Sequence, residues 1–517
     1  MNRDEMIKNM HNSYDVLIIG GGATGLGAAV DASSRGLKTL LVEQSDFAKA
    51  TSSRSTKLIH GGLRYLQQGN LSLVLEALRE RGRLCQNAPH LIYHRAFFVP
   101  SYHWWQGPFY GIGLKIYDML AGKLGLEPSK HLSKKETLSQ LPNIETKDLM
   151  GGTVYYDGQF DDSRLALSLA QTAAEHGAYL INYMSAQSLI KENNHVEGAI
   201  VVDEETSKTY EIRAKVVINA TGVFSDKVRH LDDPDAPNII QPSQGVHIVL
   251  DASFLESNTA IMIPHTEDGR VLFMVPWLGK VLVGTTDTPV KSPALEPKPY
   301  DDEIGFILKE AGKYLAKPPK KEDILSVFAG LRPLISLEGN KKTAAISRDH
   351  TILVSKSGLI TIAGGKWTTY RKMGEDVIDK AILVGGMEEK PSVTKTLKLH
   401  GYLENVDPLN PWSTYGTNKD KIDKILKENP ELDQFLDPKL PYLKGEVVYH
   451  AREEMARSVE DVLARRTRSL LLDAKLSIKV APIVASLLAK ELHKPKSWED
   501  EQVASFTKLA KDYLISS

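Results

Sequence analysis

The segment Val16-Leu17-Ile18-Ile19-Gly20-Gly21-Gly22-Ala23-Thr24-Gly25 decides the reading of the fold. Four consecutive apolar residues predict a strand buried on both faces, as in a parallel sheet covered by helices. The glycines predict a tight turn. After it, GLGAAVDASSRG (25–36) predicts a helix with small residues toward the strand, stopped by Gly36. A second strand runs from Lys38 to Val42 and ends at Glu43, the acidic position that a dinucleotide-binding βαβ unit requires. In such a unit Gly20 makes the turn, Gly22 admits the pyrophosphate, and Gly25 lets helix and strand pack closely. The free N–H groups of the helix N-terminus face the anion. Glu43 would accept a hydrogen bond from a ribose 2′-hydroxyl and repel a 2′-phosphate.

The turn by itself leaves FAD and NAD both open. The hydroxyl-rich, basic stretch ATSSRSTK (50–57) follows directly and offers Thr51, Ser52, Ser53 and Lys57 as partners for a longer cofactor. Two later strand ends supply further backbone approach points. One is Asn219-Ala220-Thr221-Gly222; the other is Gly364-Gly365, followed by Lys366 and Thr368 at a helix start. Three such elements favour the extended cofactor, FAD. Lys366 is placed at the N1/C2 carbonyl end of the flavin, where a positive charge raises the potential.

The strands at 15–19, 38–42, 215–219 and 359–363 are expected in one sheet. The chain divides into an FAD-binding domain (1–82, 156–235 and 351–389), a substrate domain (83–155 and 236–350) and a helical C-terminal domain (390–517). Within the substrate domain, Ile248–Leu250, Val271–Val275 and Val281–Val283 are β-rich. From Val447 to Leu472 the apolar residues Val448, Ala451, Met455, Val459, Val462 and Leu463 predict one amphipathic helix.

With 64 Lys+Arg against 65 Asp+Glu, the chain has no long-range attraction for nucleic acid. Cys85 is the only cysteine, which excludes an intrachain disulfide and a multi-cysteine metal site; no metal is expected. Residues 1–14 lack an apolar leader core, and no charge-free apolar run approaches the ~20 residues of a spanning helix. The chain is therefore expected in the cytoplasm, soluble or peripheral.

Longer motifs carry a resemblance. SDFAKATSSRSTKLIHGGLRYLQQGN (45–70), VLVGTTDTP (281–289), FAGLRPL (328–334), AISRDH (345–350), AGGKWTTYRKMGEDV (363–377) and ARRTR (464–468) resemble FAD-dependent glycerol-3-phosphate dehydrogenases. The resemblance implies an α/β fold: a glutathione-reductase-like FAD-binding domain interleaved with a D-amino-acid-oxidase-like substrate domain, plus the helical C-terminal domain. It implies oxidation of sn-glycerol 3-phosphate to dihydroxyacetone phosphate, with electrons passed to a quinone. By motif, Arg64, Tyr65 and Arg348 would hold the substrate phosphate, for which paired, charge-assisted arginine hydrogen bonds are suited. Arg332 would lie at the C2 end of the substrate and stabilise a developing alkoxide. Thr285 would line the pocket. His60 and His247 are both candidate bases, since an imidazole titrates near neutral pH.

Residues 96–121 hold a dense aromatic cluster, including Phe97, Phe98, Tyr102, Trp104, Trp105, Phe109, Tyr110 and Tyr117. It suits either the core of the substrate domain or attachment to the inner face of the cytoplasmic membrane. A homodimer is a further expectation. The rival readings are an α-glycerophosphate oxidase that passes electrons to O2, an amine or amino-acid oxidase on the same fold, and a non-catalytic flavin-binding protein.

Overall fold

The computed structural model describes residues 1–62, 70–336, 349–407 and 410–515. Two large sheets and a helical tail make up the chain. The first sheet is centred on Ser13–Ile19, which pairs in parallel with Thr39–Val42 on one side and Thr209–Asn219 on the other. Ile360–Gly364 extends the sheet in parallel beyond Thr209–Asn219, and Tyr179–Ile181 extends it beyond Thr39–Val42. The four expected strands therefore do share one sheet. An antiparallel edge strand, His350–Val354, and a hairpin, Met184–Glu192 with His195–Asp203, complete it.

Val16, Leu17, Ile18, Leu40 and Leu41 are buried, because long helices cover one face of the central strands and the hairpin 184–203 with the short helix Arg3–Lys8 covers the other. Helix Ala23–Ser34 packs on Tyr370–Val384 through glycines that meet backbone to backbone. A Cβ on Gly374 would lie 2.6 Å from the Gly27 carbonyl oxygen. Gly36 stands just beyond the first of these helices with φ +81°.

The second sheet is built around two long antiparallel strands, Ile240–Asp251 and Ile324–Ile335, with Lys280–Gly284 on the other edge of the former. The β-rich segments at 248–250 and 281–283 lie in it, as does the segment at 271–275 from Leu272 onward. Gly151–Phe160 belongs to this sheet along its whole length, and Leu58–Ile59 pairs with it.

The tail departs from expectation. In place of one helix from Val447 to Leu472 there are three pieces: helix Lys444–Glu453, a π-helical turn Asp461–Arg466 and helix Ser469–Leu472. Met455 and Arg468 adopt left-handed backbone angles at the breaks. Val448, Met455, Val459, Val462 and Leu463 are buried and Ala451 partly so, but the segment also buries Arg465, Arg466 and Arg468. Two of their carboxylate partners, Asp46 and Asp161, lie outside the tail. A continuous helix follows its apolar stripe; this segment bends to its ion pairs.

The aromatic stretch divides in two. Phe97, Phe98, Tyr110 and Tyr117 are core, whereas Trp104, Trp105 and Phe109 are exposed. Helix Gln106–Ala121 adds Ile112, Ile116 and Met119 to the exposed set. The positions 105, 109, 112, 116 and 119 alternate steps of four and three, so they form one stripe along the helix. Ile112 is 64% exposed and Met119 80%, more than a monomer's surface usually leaves to an apolar stripe.

Candidate functional site

A deep cleft opens at the carboxyl ends of the first sheet's parallel strands. Gly20, Gly22 and Ala23, Glu43, the loop Ala48–Ser52, and Ala220–Gly222 line it, and it ends at Gly364–Trp367. Gly20 has φ +113°, donates its N–H to the Val42 carbonyl (2.9 Å), and would place a Cβ 2.7 Å from the Ala220 oxygen. Gly22 caps helix Ala23–Ser34. A Cβ there would meet only Ser52 Oγ, at 3.1 Å, and would fill the cradle at the helix N-terminus. Gly25 does not line the cleft; a Cβ would lie 1.9 Å from the Gly20 oxygen, so its lack of a side chain serves packing.

Burial pushes the Glu43 carboxyl above its usual range. One oxygen accepts from Gly21 N (2.7 Å) and the other from Ser45 N (2.9 Å), which leaves lone pairs for ribose hydroxyls. A polar group at one end, a helix N-terminus in the middle and a lysine at the far end fit an extended dinucleotide such as FAD.

The loop 50–57 is only partly directed at this cleft. Thr51 and Ser52 line it, with Thr51 Oγ1 donating to the Leu331 carbonyl (2.7 Å) and Ser52 Oγ accepting from Ala23 N (2.9 Å). The Ser52 carbonyl accepts from Trp367 Nε1 (2.8 Å). Ser53 is turned away, with its Oγ on the Ala50 carbonyl. Lys57 must also be reassigned. It has φ +62°, is fully buried, and its ammonium meets Asp162 (2.7 Å) and the Ser53 carbonyl (2.6 Å) over the ring of Trp277. A lysine committed to a buried carboxylate braces the loop and is not a cofactor ligand.

A second cavity of about 210 Å³ continues from the far end of the cleft and shares Thr51, Pro333, Gly364, Gly365, Lys366 and Trp367 with it. Its remaining wall includes His60, Thr56, Thr368, His247 and Arg332. Strand register explains the arrangement. Across the two long strands His247 pairs with Phe328, Gly245 with Gly330 and Ser243 with Arg332. Side chains two apart share a face, so this face presents a histidine, a glycine gap and an arginine in sequence. A Cβ at Gly245 would lie 2.5 Å from Arg332 Nη2 and 2.6 Å from Thr285 Oγ1. One at Gly330 would lie 2.8 Å from the Arg54 carbonyl. These glycines make a notch in the sheet face, and the Arg332 guanidinium, the Thr285 hydroxyl and the Arg54 backbone occupy it.

At one end of the notch Arg332 reaches Thr285 Oγ1 (3.2 Å), the Thr286 carbonyl (3.1 Å) and Asp287 (3.3 Å), while Asp287 accepts from Ser243 Oγ. Glu303 holds the same turn from below, accepting from Thr286 Oγ1 (2.8 Å), Thr288 Oγ1 (2.6 Å) and Gln244 Nε2 (2.8 Å). At the other end the His247 ring stacks on Phe328, with centroids 5.0 Å apart, and Nε2 meets Thr56 Oγ1 at 2.9 Å. His247 Nδ1 is buried and has no hydrogen-bond partner among the described residues. Burial, then the cations Arg332 and Lys57, hold its pKa well below 6.5, so the ring is neutral. His60 lies on the cavity wall beside Phe273, and its carbonyl accepts from Thr368 Oγ1 (3.4 Å).

The structure thus brings together Arg332, His247, His60, Lys366, Thr285 and Thr368. Arg64, Tyr65 and Arg348 lie outside the described residues. Sequence reasoning missed Asp287, Ser243 and Thr56. Asp287 was within sight, because it falls two residues beyond Thr285 in an extended TTDTP segment and so shares its side.

Residues 15–371 match the family model of FAD dependent oxidoreductases, and residues 378–503 match the C-terminal domain of alpha-glycerophosphate oxidase. The fold and cleft define an FAD-dependent oxidoreductase with a helical domain appended. The chain is 40% identical to the mitochondrial glycerol-3-phosphate dehydrogenase of Macaca fascicularis over 99% of its own length and 75% of the relative's. It is 38% identical to that of Schizosaccharomyces pombe, covering 99% and 89%. It superposes on the glycerol-3-phosphate dehydrogenase of Bacillus halodurans, solved with FAD, at a TM-score of 0.81 and 30% identity, covering 100% and 99%. The chain belongs to the FAD-dependent glycerol-3-phosphate dehydrogenase family, and FAD is its cofactor. The L-alpha-glycerophosphate oxidase of Mycoplasma pneumoniae shares the fold at 19% identity and a TM-score of 0.56, over 74% of this chain and 98% of that one. The anticipated architecture is the one present: a glutathione-reductase-like FAD domain interleaved with a D-amino-acid-oxidase-like domain, and a helical tail.

Proposed function

We propose that this protein oxidises sn-glycerol 3-phosphate to dihydroxyacetone phosphate and passes the electrons to a membrane quinone. The observation that carries the chemistry is the notch at the lysine end of the cofactor cleft, with a guanidinium at one end and a neutral imidazole at the other. Gly20, Gly22, Glu43 and the Gly365–Lys366 end of the cleft would hold FAD, which would supply the hydride acceptor, its N5, for C2. Arg332, fixed by Asp287 and Thr285, stabilises negative charge developing on the C2 oxygen. The neutral His247 accepts the hydroxyl proton at Nε2 through the Thr56 hydroxyl, which lines the notch 2.9 Å away. Gly245 and Gly330 let the Arg332 guanidinium, the Thr285 hydroxyl and the Arg54 backbone lie close against the sheet on the cavity wall. Arg64, Tyr65 and Arg348 hold the phosphate in this reading, by motif.

Adding glycerol 3-phosphate anaerobically to the flavin-loaded protein should bleach its visible band. Bleaching by an amino acid and not by glycerol 3-phosphate would overturn the substrate.

A membrane acceptor agrees with the exposed stripe of helix Gln106–Ala121, which suits peripheral attachment to the inner face of the cytoplasmic membrane. Among the described residues no helix is long and apolar enough to cross a membrane. The match of residues 378–503 to an oxidase domain favours a second reading, in which O2 is the acceptor. Stoichiometric hydrogen peroxide in air, with no reduction of a short-chain quinone, would select it.

A further inference from the structure

Among the described residues, none beyond Met373 lines the cofactor cleft, so the C-terminal domain does not touch it. It does reach one wall. The loop Gln44–Ser52 supplies six cleft-lining residues, and its only regular structure is the short turn at Thr51–Ser53. Asp46 points out of the far side of this loop and is fully buried. It receives Arg466 through both terminal nitrogens (2.5 and 2.9 Å), Arg465 Nε (2.5 Å) and Asn182 Nδ2 (3.2 Å). Three residues on, Lys49 pairs with Glu460 of the C-terminal domain and with Glu296 (2.6 Å) of the substrate domain. Arg465 closes the set on Glu460 and Asp461 (both 2.6 Å).

Charges of opposite sign on the loop therefore meet charges of opposite sign on and beside one π-helical turn. Buried ion pairs of this kind contribute little net stability compared with apolar packing, whereas their geometry fixes register. A π-helical turn is itself uncommon and tends to mark a working segment. We infer that the C-terminal domain is a clamp that sets the position of the FAD-binding loop, with Arg465, Arg466 and Glu460 as positioning residues for cofactor binding.

The test uses the full chain stripped of flavin and titrated with FAD, alongside thermal melting without FAD. Arg465→Met leaves Asp46 its Arg466 fork, and Glu460→Gln changes a partly exposed residue; neither side chain lines the cleft. Each should weaken FAD binding about tenfold; the flavin-free melting temperature of Glu460→Gln should stay within a few degrees of wild type, whereas Arg465→Met, which leaves Asp461 buried without this partner, should lower it. Arg465→Lys should restore part of the affinity. Unchanged FAD affinity in the variants, whatever happens to flavin-free melting, overturns the clamp. If Arg465→Met does not fold, Glu460→Gln decides by the same criterion. Substrate plays no part in either readout.

Discussion

Gly245 and Gly330 stand opposite each other across the two long strands of the second sheet, with neither contributing a side chain to its face. The Arg332 guanidinium and the Thr285 hydroxyl lie in the space a side chain at Gly245 would need. Gly245→Ala places a methyl 2.5 Å from one nitrogen of the Arg332 guanidinium, the movable end of a long side chain, so the fold should survive while the guanidinium shifts. Displacements of about 1 Å can cost ~10²-fold in rate. Steady-state kinetics should show kcat/KM reduced 10- to 100-fold with melting nearly unchanged, and undiminished activity would remove the notch from the reaction.

The histidine at the other end makes a pH prediction. His247 is held neutral, with a pKa well below 6.5, so catalysis that needs the neutral ring should persist as pH falls through 6.5. Rapid-mixing measurement of flavin bleaching should find no acid limb there. His247→Asn should slow bleaching by about 10² or more. Stability follows the same sign. The unfolded chain takes a proton below 6.5 and the native ring does not, so the stabilisation present above 6.5 is lost as pH falls toward the depressed value. The melting temperature of wild type should therefore decline on the acid side more steeply than that of His247→Asn.

Lys57 offers a test of its reassignment. Lys57→Met leaves Asp162 charged and buried without its partner, a change that costs about 3–5 kcal/mol. Chemical denaturation should register that loss, and Lys57→Met/Asp162→Asn should recover part of it. A variant with full stability and weakened FAD binding would return Lys57 to the cofactor.

The exposed stripe can be tested directly. Trp104 is 77% exposed and Phe109 54%. Flotation with vesicles of bacterial lipid should carry the wild-type protein upward and leave Trp104→Ser/Trp105→Ser/Phe109→Ser behind. Equal flotation of both, or of neither, would detach this helix from the membrane.

The cofactor half of the site was legible in the sequence because its signals are local. A buried strand, a glycine turn and an acidic strand end lie within 30 residues, and Gly20, Gly22 and Glu43 occupy the places their spacing implies. The notch was legible only as separate motifs. His247 and Arg332 come together through register between strands that begin more than 80 residues apart, and no local pattern specifies which residue faces which. Lys57 misled for the same reason, since its partner Asp162 belongs to a distant helix. The tail misled differently: the apolar spacing from Val448 to Leu463 is genuine, yet buried arginines with partners elsewhere override it.

The order of strands in the first sheet has a consequence for how the protein is made. Ser13–Ile19 is sandwiched between Thr39–Val42 and Thr209–Asn219, and the latter leaves the ribosome some 200 residues later. At roughly 5–20 residues per second, the strand that carries the glycine turn waits on the order of 10–40 s for its second neighbour. Throughout that interval an apolar edge of the nascent chain stands open to other chains. The N-terminal βαβ unit is thus open on one side until Thr209–Asn219 arrives, and that exposure marks it as a point at which chaperones should engage.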